Sequence, residues 1–112
     1  MIENDVIQLL KKRKAEGYVS CSESDGYKIG LVVQGGGMRG VMNSAMLDAL
    51  QRMGYSNCID NVYGNSAGAT NAAYFLAGQS HIATSVYIED LSNRKFINPF
   101  INRRIANAIK FL

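Results

Sequence analysis

Two glycine-rich stretches hold residue types at spacings that can do chemistry. One is Gly64-Asn65-Ser66-Ala67-Gly68, a serine with glycine two residues to either side. Between a strand and a helix, this spacing is a nucleophile-elbow pattern. The glycines permit a turn in which a Cβ would clash with strand or helix, so the hydroxyl stands clear of the backbone. The positive end of the following helix then stabilises negative charge as the hydroxyl becomes an alkoxide and attacks a carbonyl. The other stretch is Gly35-Gly36-Gly37-Met38-Arg39-Gly40. Its consecutive glycines leave backbone N–H groups unobstructed. Acyl transfer puts negative charge on the former carbonyl oxygen, and prearranged donors there are worth roughly 3–4 kcal/mol each. A glycine loop on a neighbouring strand can aim such donors beside the serine.

Other chemistries fit less well. Gly35-x-Gly37-x-x-Gly40 also matches a dinucleotide-binding fingerprint, which wants an acid at the end of the next strand. Asp60 has the distance but falls near that strand's start. A phosphate loop is excluded because no Gly-Lys-Ser/Thr follows. His81, the single histidine, lies beyond the helix that leaves Ser66, so it is not expected to serve as the serine's base. The aspartates are Asp5, Asp25, Asp48, Asp60 and Asp90; Asp25-Gly26 reads as a turn. Cys21 and Cys58 show neither CxxC nor metal spacing and read as two reduced thiols.

Particular elements must position the two stretches. Cys58 to Tyr63 reads as a short strand entering the serine, and Ala67 to Ala77 as a small-residue helix leaving it. Tyr27 to Val33 reads as another strand whose apolar end suits burial on both faces. The triple glycine follows and opens a helix from Val41 to Arg52 or Met53. Met42, Ala45, Met46, Ala49, Leu50 and Met53 share one stripe of it, which predicts core packing over a lipid-adaptive surface. Strand, helix, strand, helix makes a βαβα unit with parallel strands, and both motifs then lie at the strands' carboxyl ends.

Upstream, Ile2, Val6, Leu9 and Leu10 predict an amphipathic helix over 3–16, capped by Gly17. Its Lys11-Lys12-Arg13-Lys14 run reads as a solvated, dipole-compatible end, with contact to anionic lipid as the alternative. Residues 18–26 are a polar connector. Downstream, 81–92 reads as a helix, 93–99 as a loop and 100–112 as an amphipathic helix. The division expected is 1–26, helix and connector, and 27–112, the portion bearing both motifs.

The chain has 112 residues, nearly half apolar (47%), with net charge +3. That suits one small domain. The charge is too mild to argue for nucleic acid, and no aromatic residues interleave with a basic run. No apolar stretch approaches the roughly 18 residues of a membrane span, and the N-terminus lacks a secretory signal's apolar core.

Taken together, Gly35-Gly36-Gly37-Met38-Arg39-Gly40 and Gly64-Asn65-Ser66-Ala67-Gly68 resemble the patatin-like phospholipases. The likeness spans roughly residues 28–80, and 87–103 is also similar to bacterial-type members. The resemblance implies a three-layer α/β/α fold of the α/β class, of which 27–112 would be the N-terminal part: a βαβα core with flanking helices. It implies a lipid acyl hydrolase that cleaves acyl esters of phospholipids or acylglycerols through an acyl-enzyme, with a Ser–Asp dyad and neither metal nor cofactor. Ser66 would be the nucleophile, Gly36 and Gly37 the oxyanion donors, and Arg39 the basic residue of the loop. The family's base is an aspartate in an Asp-Gly-Gly or Asp-Gly-Ala motif downstream of the serine, and no aspartate here fits it. The chain by itself is therefore expected to be a fragment with little or no activity. The alternative is an inactive truncated relative that binds lipid or protein. A cytoplasmic or membrane-peripheral location, a lipid or ester substrate at a membrane surface, and self-association through open sheet edges complete the expectations.

Overall fold

The computed structural model describes residues 2–20 and 25–91, with side chains from residue 5 onward. The expected loop at 93–99 and helix at 100–112 lie outside the described residues, as does Cys21. An N-terminal helix, α1 (Ile2–Ala15), precedes strand β1 (Gly30–Val33) and helix α2 (Gly40–Arg52). Strand β2 (Asn61–Gly64) and helix α3 (Ala67–Leu76) follow, then a short helix α4 (Ser80–Ser85) that continues as a π-helical turn over Val86–Asp90. The two strands pair in parallel, in register from Gly30 opposite Asn61 to Val33 opposite Gly64. Both glycine motifs accordingly leave the carboxyl ends of adjacent strands. This mixed architecture, a parallel pair with flanking helices, is the partial α/β arrangement expected from the order of the two motifs.

The core sits between the sheet and helices α2 and α3. Ile29, Val33, Leu47, Ile59, Ala72 and Phe75 are buried there, with Leu9 and Leu10 of α1 packed at its margin. Gly17 ends α1 at φ +68°. The Tyr18 N–H reaches back to the Arg13 carbonyl at 2.8 Å, closing the helix as a glycine C′ residue allows.

Three sequence expectations change. First, the methionine stripe of α2 faces outward: Met42, Met46 and Met53 are all at least half exposed. The buried face is Gly40, Ser44 and Leu47. The small Ser44 lets α2 approach α4 closely, and the Ser44 and Thr84 hydroxyls meet at 2.8 Å. Second, β1 is not buried on both faces. Val33 points into the core, but Val32 is 77% exposed, beside an exposed Tyr63 on β2. Third, Arg13 is not part of a solvated helix end.

Arg13 is 1% exposed, and all five of its N–H donors are engaged. Nε and one amino group clamp Asp25, each bond 2.8 Å long. The remaining bonds go to Asp60 and to the carbonyls of Cys58 and Tyr27. Asp60 also accepts from the Ile29 N–H and the Tyr18 hydroxyl. The planar fork of arginine suits this role; a lysine could satisfy at most three of the five acceptors. The cluster ties α1 to the starts of both strands. Lys11, Lys12 and Lys14 remain exposed.

Candidate active site

Ser66 stands between β2 and α3 with φ 53° and ψ −128°. Among the described residues it is the non-glycine with positive φ. Such a conformation costs of order 1–3 kcal/mol and persists only where the surroundings dictate it. Here they do. A Cβ on Gly64 would lie 2.6 Å from the Gly68 carbonyl oxygen and 2.8 Å from the Ala69 nitrogen. A Cβ on Gly68 would overlap the Val33 carbonyl and lie 2.8 Å from the Gln34 carbonyl carbon. Elbow, helix and the end of β1 are thus pressed together without room for side chains. Ser66 itself is exposed, and no described residue is hydrogen-bonded to its Oγ.

The glycine loop lies against this turn. The Gly35 N–H donates to Asn65 Oδ1 at 2.9 Å. A Cβ on Gly35 would come within 2.6 Å of the Asn65 carbonyl oxygen and 3.0 Å of Ser66 Cβ. Gly37–Arg39 forms a single 3-10 turn, with Gly37 at φ +58°. The Arg39 and Gly40 N–H groups bond back to the Gly36 and Gly37 carbonyls. Gly36 and Gly37 are exposed, and their N–H groups find no acceptor among the described residues. Arg39 is exposed, on the same turn.

At its far end the loop is wedged. A Cβ on Gly40 would sit 2.5 Å from the Tyr87 hydroxyl and 3.2 Å from Ala67 Cβ. Buried Asn71 of α3 donates from Nδ2 to the Gly40 carbonyl at 2.9 Å, while its Oδ1 has no hydrogen-bond partner among the described residues. Beside the loop opens an apolar pocket of about 260 Å³, whose wall includes Gly37, Met38, Ala67, Tyr74, Val86 and Leu91. Sequence reasoning missed Asn71 and Tyr87 as supports of the loop. A polar residue within the small apolar run of α3 was the available signal for Asn71; Tyr87 read as an ordinary apolar helix position.

The carboxylates lie elsewhere. Hydrogen bonding from Arg13 holds the Asp25 carboxyl at about 2, below the ordinary 3.8. Burial pushes the Asp60 carboxyl up, but bonds from Arg13, the Ile29 N–H and Tyr18 outweigh it and leave it below the usual range. Asp60 is thereby committed to the α1 joint, which removes the acid that a dinucleotide site would need. Asp48 pairs with Arg52 at 3.0 Å. His81 is exposed in the first turn of α4 and bonds to no residue of the elbow. Cys58 is a free, buried thiol whose burial pushes its pKa up. No group of His, Cys, Asp or Glu among the described residues could hold a metal ion. No helix among them is long and apolar enough to cross a membrane.

The sequence model of the patatin-like phospholipase family matches residues 31–111, a span that contains both motifs. The chain is similar to a protein of Escherichia coli (strain K12) named "Uncharacterized protein YjjU", 35% identical over 82 residues. That match covers 73% of this chain and 23% of the relative, so the chain spans about a quarter of the relative's length. No solved structure matches the chain. With the family match running through strand, glycine loop, elbow and the helices behind them, the chain belongs to the patatin-like phospholipase family.

Proposed function

We propose that this chain carries the nucleophile and oxyanion donors of a serine lipid acyl hydrolase. The observation that carries the reading is the exposed Ser66 at φ 53°, beside a loop whose Gly36 and Gly37 N–H groups are engaged by no described residue. In this reading Ser66 Oγ attacks the ester carbonyl carbon, and its proton passes to a base. The carbonyl oxygen becomes an oxyanion, held by the two glycine amides. Collapse expels the alcohol, which takes up the proton, and leaves an acyl group on Ser66. Water then attacks the acyl-enzyme by the same route, releasing the fatty acid.

The base that the family resemblance implies is an aspartate in an Asp-Gly-Gly or Asp-Gly-Ala motif; none of the five aspartates here lies in such a motif, and Asp25, Asp48 and Asp60 are held in ion pairs. The apolar pocket beside Gly37 and Ala67 would receive the acyl chain. In this reading the substrate is met at a membrane surface, with the protein cytoplasmic or peripheral to the bilayer as the proposed location. Ester hydrolysis by the intact protein, abolished by Ser66→Ala with unchanged circular dichroism, is the expected result; undiminished hydrolysis by that variant refutes the assignment. The second reading, a binding module without catalysis, is favoured by the lack of any described partner for Ser66 Oγ. It predicts that the intact, folded protein binds lipid vesicles yet is inert toward esters.

A further inference from the structure

We propose that Asn65 is a positioning residue: its side-chain carbonyl latches the glycine loop to the elbow and so sets where the Gly36 and Gly37 amides lie relative to Ser66. The proposal rests on the reading of Ser66 as the nucleophile. The strands pair through Val33 and Gly64, and beyond that point β2 turns away into the elbow. No extended backbone remains there to pair with the loop. Asn65 Oδ1 takes that place and accepts the Gly35 N–H at 2.9 Å. The backbone carbonyl of Asn65, which a Cβ on Gly35 would meet at 2.6 Å, accepts the Gly68 N–H at 2.9 Å where α3 begins. One residue is thus fastened to the loop by its side chain and to the helix start by its backbone, immediately before the nucleophile.

The loop has two other polar anchors. Asn43 donates to the Gln34 carbonyl at 2.7 Å, and Asn71 donates to the Gly40 carbonyl. These hold the two ends. Asn65 alone of the three belongs to the elbow, and its bond adjoins the two donor glycines. It also engages the Gly35 N–H, while Gly36 and Gly37 keep N–H groups that no described residue accepts. The bond is solvent-exposed, so its loss weakens global folding little. Reactivity is far more sensitive, since a misplacement of about 1 Å can lower a rate roughly 100-fold.

The test uses Asn65→Leu, which removes the acceptor at similar size, and Asn65→Asp, which keeps Oδ1. Two quantities are measured in the intact protein: hydrogen exchange of the Gly35 amide by NMR, and the rate at which a fluorophosphonate modifies Ser66. Asn65→Leu is expected to speed Gly35 exchange at least about tenfold, to leave the α3 amides unchanged, and to slow Ser66 modification by roughly 10- to 100-fold. Asn65→Asp is expected to restore Gly35 protection and recover part of the rate. The proposal is overturned if Gly35 exchange is unaltered in Asn65→Leu, if exchange rises while the Ser66 rate holds, or if Asn65→Asp matches Asn65→Leu in both. Loss of α3 protection in both Asn65→Leu and Asn65→Ala makes the residue a folding element and likewise overturns it. No Ser66 adduct in the wild-type protein is the separate signature of a failed nucleophile assignment, and it overturns both.

Discussion

At the scale of single residues, the candidate site is built from places where a side chain is not allowed. Gly35, Gly40, Gly64 and Gly68 each sit where a Cβ would meet backbone or a buried hydroxyl. The sequence announces these positions well, because glycine at fixed offsets from a serine has few other uses. It does not announce what presses on them. Gly40 shows the difference: the neighbour that forbids a Cβ is the Tyr87 hydroxyl, which lies far along the chain. Gly40→Ala should therefore destabilise the fold by about 1–3 kcal/mol through overpacking. Tyr87→Phe in the same chain should recover part of that loss, since the hydroxyl is the nearest atom. Urea midpoints of the two single variants and the double variant measure the coupling; strictly additive effects would show that Tyr87 is not the obstacle.

At the scale of elements, the joint between α1 and the sheet depends on one guanidinium. In the sequence, Arg13 is indistinguishable from the lysines around it, and a basic run at a helix end has an ordinary explanation. Only the fold brings Asp25, Asp60 and two carbonyls to one point. The methionine stripe of α2 misleads for a related reason: periodicity reveals that a helix is two-faced but not which face a neighbour will cover. Arg13→Met strands a buried Asp60 and should cost roughly 3–5 kcal/mol. The joint also titrates. A carboxyl held below its ordinary value contributes stability above that value and loses it as pH falls through the native one. For Asp25 the contribution is complete above 3.8 and vanishes as pH drops toward about 2; Asp60 acts in the same direction. Unfolding midpoints followed by circular dichroism should be flat from neutral pH to about 5 and then fall, more steeply in the wild type than in Arg13→Met. Equal slopes in the two proteins would contradict this account of the joint.

At the scale of the whole molecule, the parallel pair has open edges among the described residues and a face bearing exposed Val32 and Tyr63. Open edges and exposed apolar faces promote pairing between chains. The 112-residue chain should associate with rising concentration in sedimentation velocity, and Val32→Lys should weaken that association several-fold; a wild-type chain that stays monomeric at all concentrations would contradict it. The architecture around the site was legible because strand, glycine loop, helix, strand and elbow follow one another locally. The support behind it was not, because Asn71, Tyr87 and Arg13 act across long separations. The account as a whole stands on Ser66 being a reactive nucleophile that the elbow presents to solvent. Its most direct test is to treat the intact protein with a fluorophosphonate and locate the adduct by peptide mass spectrometry. The expected result is modification at Ser66, absent in Ser66→Ala; an adduct only at another residue, or none at Ser66 in folded protein, would contradict it.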